Sequence, residues 1–352
     1  MAWNIPGLFT ENVHSKWQIS RTPLRDLEFE ALQTMMQPIL GKQFLSAERI
    51  NEGLTSVNFR IECLVPSGGV ELIHLRMAKR NSREAVERIT KLTEFIYKGL
   101  NICVFELEGA TWQYGKFIEG DHFRGHIAEL VSAAEAIAEL HKATREYPAA
   151  DEFPKSSFGT MDITLWDKAA CDMPESRTRT LYREHCGRLI ELSITTEDAI
   201  KRHGGPLSKH QLVHGDIHPQ NLIMDGSQVA AIIDFGNVSI GTLGMDLGMA
   251  CHRLVRQYTV CRNKEHGERW ENSLNTGLRA FLEAYQDAMP DVTDECLRDM
   301  PHFMREILLR KVGYNLTLFA EGKRADDMAC SQIERFIGLL NEVDEMGEFF
   351  AW

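Results

Sequence analysis

The stretch Leu212–Gly236, LVHGDIHPQNLIMDGSQVAAIIDFG, restricts what this chain can fold into more than any other part of it. Two short apolar runs, NLIM and QVAAII, lie either side of Asp225-Gly226, a dipeptide suited to the tight turn of a β-hairpin. Polar side chains stand at the outer ends of that hairpin. Asp216 and Asn221 are five residues apart before the first strand, and Asp234 follows thirteen residues later, after the second. A hairpin of this length brings Asp234 back beside the other two. Such a set suits transfer of a phosphoryl group: one carboxylate orients the proton of an attacking hydroxyl, and two oxygen ligands hold Mg²⁺ against phosphates. A lone His-Gly-Asp or Asp-Phe-Gly would say little, because turns and strand ends commonly use these residues. Three elements in order, with a hairpin between them, are far more specific.

Composition narrows the class further. The 352 residues are enough for one large or two modest domains, and 43% hydrophobic with 26% charged residues is ordinary for a globular enzyme. Lys plus Arg total 39 against 51 Asp plus Glu, a formal charge of -12 with no basic run, which argues against nucleic acid as a partner and is compatible with a cationic substrate. Eight scattered cysteines form no CxxC pair, as expected of reduced thiols. The start, MAWNIPGLFTENVHSKWQ, has no basic-then-apolar leader, and no apolar run approaches the ~20 residues of a membrane span. A cytoplasmic protein with no membrane partner is expected.

Along the chain, residues 24–40 predict a leading helix closed by Pro38 and Gly41. Strands are predicted at Phe59–Val65 and Glu71–Met77 across PSGG, and at Cys103–Leu107 and Thr111–Ile118 across Glu108-Gly109. Between them Ser82 caps a helix from Arg83 to about Lys98, stopped by Gly99. After Gly120 the pattern turns helical, with Leu130, Ala133, Ala134, Ile137, Leu140 and His141 on one buried stripe. The expected class is α+β, a strand-rich part followed by a helix-rich one.

The spacings of five and thirteen match the catalytic loop and Asp-Phe-Gly triplet of protein kinases. HGDIHPQN, IIDFG and GMDLG together resemble the aminoglycoside phosphotransferase and choline kinase superfamily, small-molecule kinases with a protein-kinase-like bilobal fold. The resemblance spans about Phe44 to Leu340 and is specific from Leu212 to Gly248. It implies a nucleotide-binding lobe with its leading helix over 1–118 and a catalytic, substrate-binding lobe over 119–352. It also implies ATP and Mg²⁺, with Asp216 as catalytic base and Asn221 and Asp234 as metal ligands. Asp246, His214 and His218 would support the loop, and His141 would brace it. In the smaller lobe NEGLTSVNFRIE takes the place of a phosphate-covering loop, although it holds only Gly53. Backbone at Thr55, Ser56, Val57 and Asn58 would touch phosphate there, helped by the Thr55 and Ser56 hydroxyls. The basic residue of the next strand is Arg76, with Lys79 as the alternative, and its helix partner is Glu87 or Glu84. Backbone near Lys116 and Ile118 would pair with the adenine edge.

Two departures from protein kinases point to a small acceptor. Gly215 stands where those enzymes usually carry arginine, and only NVSIGTLGM separates Gly236 from Asp246, too little chain for a peptide-docking segment. Relatives act on aminoglycosides, choline, homoserine, hydroxylysine and methylthioribose. The acid-rich DAMPDVTDECLRD favours an amino alcohol, homoserine-, choline- or aminoglycoside-like, as acceptor. Two other readings stay open: a bacterial-type Ser/Thr protein kinase of the same superfamily, and a nucleotide-binding regulator without turnover.

Overall fold

The computed structural model describes residues 21–50, 56–65, 67–78, 82–155 and 161–350. Within these, 21–123 with 222–233 make one compact unit, and 124–221 with 234–350 make a second.

The first unit is built on an antiparallel sheet of β1 (Arg21–Pro23), β2 (Gln43–Ile50), β3 (Ser56–Leu64), β4 (Val70–Ala78), β5 (Cys103–Leu107) and β6 (Ala110–Lys116), in the order β1-β2-β3-β4-β6-β5. Helix α1 (Asp26–Leu40) buries Leu32, Met36 and Leu40, one residue per turn, against Phe44, Ile61, Cys63, Ile73, Leu75 and Trp112 of the sheet. Strand alternation sends Ile73 and Leu75 into that core and leaves His74 and Arg76 on the opposite face. Gly41 ends α1 with φ +63°, its N–H donating to the Gln37 carbonyl. Pro38 does not close the helix as expected; it lies inside the last turn, and the helix runs two residues past it. β1 and β2 escape a reading of apolar alternation because only Phe44 and Ala47 of β2 are buried. Helix α2 (Arg83–Ile96) starts where predicted, with Ser82 Oγ accepting from the Ala85 N–H. The same unit contains a second sheet, β7 (Asp121–His122) beside β9 (Leu222–Asp225) and β10 (Gln228–Ile232). The β9–β10 hairpin turns at Gly226, φ +59°, as the sequence predicts.

The second unit is helical: α3 (Ile127–Arg145), α4 (Ile163–Asp172), α5 (Arg177–His203), α6 (Leu243–His266), α7 (Trp270–Ala288), α8 (Asp294–Leu297), α9 (Met300–Ala320) and α10 (Asp326–Met346). One two-stranded ribbon, β8 (His210–Val213) with β11 (Ser239–Thr242), interrupts the helices. The stripe predicted on α3, Leu130 through His141, is buried. Among the described residues no helix is long and apolar enough to cross a membrane.

Helices α6 and α9 approach closely because α6 offers glycine at the contact. A Cβ on Gly244 would lie 2.3 Å from Phe303 Cδ1, and one on Gly248 would lie 2.8 Å from the Met304 backbone nitrogen. A backbone atom cannot swing aside as a side chain can, so the helices themselves would have to separate. Gly248→Ala is therefore expected to cost about 1–3 kcal/mol of stability. The loss should be visible as a lower urea midpoint at unchanged m-value, and an unchanged midpoint would show that the helices part freely.

Candidate active site

The site starts from β8. Its last residue, Val213, pairs with Ser239 of β11, and the loop 214–218 follows directly. A short 3₁₀ turn, Pro219–Asn221, then leads into β9. Thr242 ends β11 and caps α6, its Oγ1 accepting from the Met245 N–H. One residue further, in the first turn of α6, is Asp246.

Asp246 is fully buried. Its Oδ2 accepts from the His214 N–H at 2.7 Å and its Oδ1 from the Gly215 N–H at 2.8 Å. His141 of α3 donates to Oδ2 through Nε2 at 3.2 Å, and the Tyr285 hydroxyl of α7 meets His141 Nδ1 at 2.8 Å. Since the carboxylate only accepts, Nε2 carries a proton in this contact. Burial works to raise the Asp246 carboxyl, but the donors from His141 and the loop outweigh it, and the group is held below the usual carboxylate range. Gly215 takes φ +77°, a left-handed conformation that side-chain-bearing residues avoid. Its N–H can then turn toward Asp246. Glycine at this position thus has a local reason beyond the missing arginine.

The loop so held presents Asp216. Lys311 Nζ of α9 donates to Oδ1 at 3.0 Å, Asn237 Nδ2 donates to Oδ2 at 3.2 Å, and His218 Nε2 is 3.7 Å from Oδ2. Burial pushes the Asp216 carboxyl up, Lys311 and the neighbouring histidines pull it down, and the balance leaves it lowered. It is therefore ionised at neutral pH. Burial drives His218 the other way, down to about 4, so that ring is neutral.

Asn221 is buried, and its Nδ2 donates to the Asp216 carbonyl at 2.9 Å. With the amide nitrogen committed, Oδ1 is the end left to accept. Leu222 pairs with Ile232, so the two ends of the β9–β10 hairpin open side by side, and Asn221 and Asp234 are close to those ends in the chain. Asp234 itself adopts φ 64° and ψ 61°, a strained conformation for a residue with a side chain. Two oxygen donors from the protein are few for a metal held by protein alone, and no group of three His, Cys, Asp or Glu exists among the described residues. They fit Mg²⁺, which keeps water and phosphate as its remaining ligands.

In the first unit, Asn58, Arg76 and Gln113 form a cross-strand row on β3, β4 and β6. Asn58 is tied at both ends, Nδ2 to Ser56 Oγ at 3.1 Å and Oδ1 to His74 Nε2 at 3.2 Å. Burial, helped by Arg76, lowers His74 to about 4. Ser56 is buried and Val57 half-buried at the start of β3; Gly53, Thr55 and Lys79 lie outside the described residues. Glu87 does not meet Arg76. It is half-exposed and accepts from Arg83 Nε at 2.7 Å, because i,i+4 spacing puts that pair on the outer face of α2. The contact from α2 to the row is made by Thr90, whose Oγ1 accepts from Gln113 Nε2 at 2.6 Å. Glu84 is exposed in the first turn. Lys116 is exposed at the end of β6 and Ile118 is half-buried, while the intervening Phe117 N–H is taken by the Leu72 carbonyl.

Lys311 is the residue that sequence reasoning misses. It stands 95 positions from Asp216 in an uninterrupted helix, with no motif around it, and only the packing of α9 on α6 brings it to the loop.

An antiparallel-sheet unit, a helical unit and this loop define an α+β protein of protein-kinase-like fold. The chain belongs to the phosphotransferase enzyme family, whose model matches residues 95–292, more than half of the sequence. That membership makes it a phosphotransferase. No curated protein matches it significantly in sequence. Solved structures similar to it include a spectinomycin phosphotransferase in complex with ADP and spectinomycin, at 12% identity and TM-score 0.57, covering 92% of this chain and 100% of that one. An ethanolamine kinase from Plasmodium vivax gives 13% identity and TM-score 0.56, covering 88% and 84%. The choline kinase LicA from Streptococcus pneumoniae gives 12% and 0.55, covering 89% and 98%.

Two outcomes follow for this site. Asp246→Ala strands the His214 and Gly215 N–H groups in the interior, so unfolding free energy should fall by about 2–4 kcal/mol in denaturant titration. Lys311→Met removes a cation that favours the charged form of Asp216. The titration of the Asp216 carboxyl, followed by ¹³C NMR, should move to higher pH, and an unmoved midpoint would contradict the pairing.

Proposed function

We propose that the enzyme transfers the γ-phosphoryl group of ATP, with Mg²⁺, to a hydroxyl of a small metabolite. Asp216 acts as the base: its ionised carboxylate receives or orients the proton of the acceptor hydroxyl as that oxygen attacks phosphorus. Asn221 and Asp234 would hold the metal, which when bound offsets the negative charge of the phosphates. The helical unit carries this chemistry, and the strand-rich unit provides nucleotide contacts, with Arg76 and the Ser56–Asn58 backbone as phosphate-facing groups and the backbone near Lys116 and Ile118 for the base. The observation that supports the reading best is the Asp216–Asn221 pairing. One hydrogen bond runs from the Asn221 amide to the Asp216 backbone carbonyl, so the proposed metal ligand is tied to the residue proposed as base.

A protein acceptor is disfavoured by β11. The residues after Gly236 are spent on a 3₁₀ turn, a strand paired to β8 and the start of α6, so no free loop remains there to dock a peptide. The acid-rich segment that suggested an amino alcohol is also occupied elsewhere. Asp291 lies 3.5 Å from Arg145, Asp294 accepts from Gln286, and Asp299 holds His203 at 2.7 Å.

The test is ADP release in a coupled assay across a panel of small alcohols and amino alcohols, wild type beside Asp216→Asn. Acceptor-dependent turnover should fall by roughly 10²–10⁴-fold in the variant. Turnover indifferent to Asp216→Asn would remove it as the base, and phosphate appearing on protein in place of the alcohols would favour the protein-kinase reading.

A further inference from the structure

The charges around Asp216 run against those of the chain as a whole. The protein carries a formal -12, yet the groups that act on one another near this carboxylate are Lys311 of α9, Arg253 and Arg256 of α6, and Arg335 of α10, opposed by Asp216 and Glu342. Four cations face two carboxylates. His218 and His252 do not add to either side, because burial lowers both and leaves their rings neutral.

Part of this set is internally matched. Glu342 of α10 accepts from Arg256 Nε at 3.0 Å and lies 3.3 Å from His252 Nε2, while Lys311 is matched by Asp216. Arg253 and Arg335 are left over: neither makes a hydrogen bond or an ion pair with any described residue. Arg253 is partly buried, two helical turns along α6 from Asp246 and hence on the face that holds the loop. Arg335 is exposed and stands two turns before Glu342 on the same face of α10. Burial and the neighbouring guanidiniums of Arg335 and Arg256 depress Arg253 to about 10, which still leaves it charged at neutral pH. A partly desolvated guanidinium with no carboxylate of its own is costly, and the cost is relieved when an anion is bound. Helix α6 places no acid at Arg253 although the chain is rich in them.

We propose that the acceptor is an alcohol that also carries an anionic oxygen group, carboxylate or phosphate, which Arg253 and Arg335 bind while its hydroxyl meets Asp216. The inference rests on Asp216 being the base and goes beyond it by naming the acceptor's charge. The planar guanidinium fork matches either oxyanion in a bidentate manner. It also reverses the expectation of a cationic acceptor drawn from overall charge. Arg253 and Arg335 are thereby specificity residues for the acceptor, distinct from the groups assigned to the metal.

The experiment is ADP release from ATP with matched acceptors: glycerate, serine and 4-hydroxybutyrate beside glyceramide, serinamide and 4-hydroxybutyramide, then glycerol 3-phosphate beside glycerol, and ethanolamine and choline as cations. The best anionic member should exceed its neutral partner in kcat/KM by about tenfold or more. Whether that member is a carboxylate or the phosphate decides the anion. Arg253→Gln should raise the KM for that acceptor and erase the preference, with kcat and the KM for ATP little changed, and Arg253→Lys should restore part of it. Arg335→Gln, on the surface, gives the same test without risk to folding. Equal or better use of neutral or cationic acceptors, with turnover still lost in Asp216→Asn, would overturn the inference and leave the kinase reading standing. So would variants that raise the KM for ATP and not that of the acceptor. Phosphorylation of no acceptor by a preparation that binds ATP would bring down both.

Discussion

A carboxylate with no exposure to water fixes the loop that presents Asp216. Asp246 reaches out of the first turn of α6 and takes the N–H groups of His214 and Gly215, while His141 and Tyr285 complete its shell from two other helices. A buried charge is tolerated only when it is satisfied, and here two donors come from the loop and the third from α3, which α7 braces through Tyr285. The loop geometry is therefore a consequence of assembling α3, α6 and α7, and Gly215 supplies the backbone conformation that lets the chain comply.

The same helix carries the next level of organisation. Gly244 and Gly248 flank Asp246 in the sequence and let α9 come close enough that its backbone nearly touches α6. Two turns further along α9, Lys311 is delivered to Asp216. The GMDLG segment thus does two physical jobs: its aspartate holds the loop from one side, and its glycines admit the helix that supplies a cation from another. Arg253 is on this helix too, so a single element carries the aspartate that holds the loop and the guanidinium proposed to meet the acceptor.

Much of this was legible beforehand, and for physical reasons. The β9–β10 hairpin that follows Asp216 and Asn221 and precedes Asp234 was readable because its turn and apolar runs are local properties. The α3 stripe follows from helical period, and the Glu108-Gly109 turn from two positive φ angles. Other parts depended on partners far away. β2 carries Glu48 and Arg49 where a strand pattern would want apolar residues, and it is a strand because β3 pairs with it along its length. Glu87 matched a remote partner no better than it matched Arg83, four residues before it, and the local pair is the one formed. Lys311 had no local signature at all.

The sequence by itself determined the hairpin that Asp216, Asn221 and Asp234 flank, since its turn and strands are local, and the nine-residue run between Gly236 and Asp246. Tertiary structure alone decided the electrostatics around Asp216. Charge in a sequence is a sum over the whole chain, and here that sum is strongly negative. Charge at a site is set by which few side chains the helices bring within reach, and α6, α9 and α10 bring cations. A Coulomb interaction falls with distance and is screened by solvent, so those few neighbours outweigh the distant excess of carboxylates.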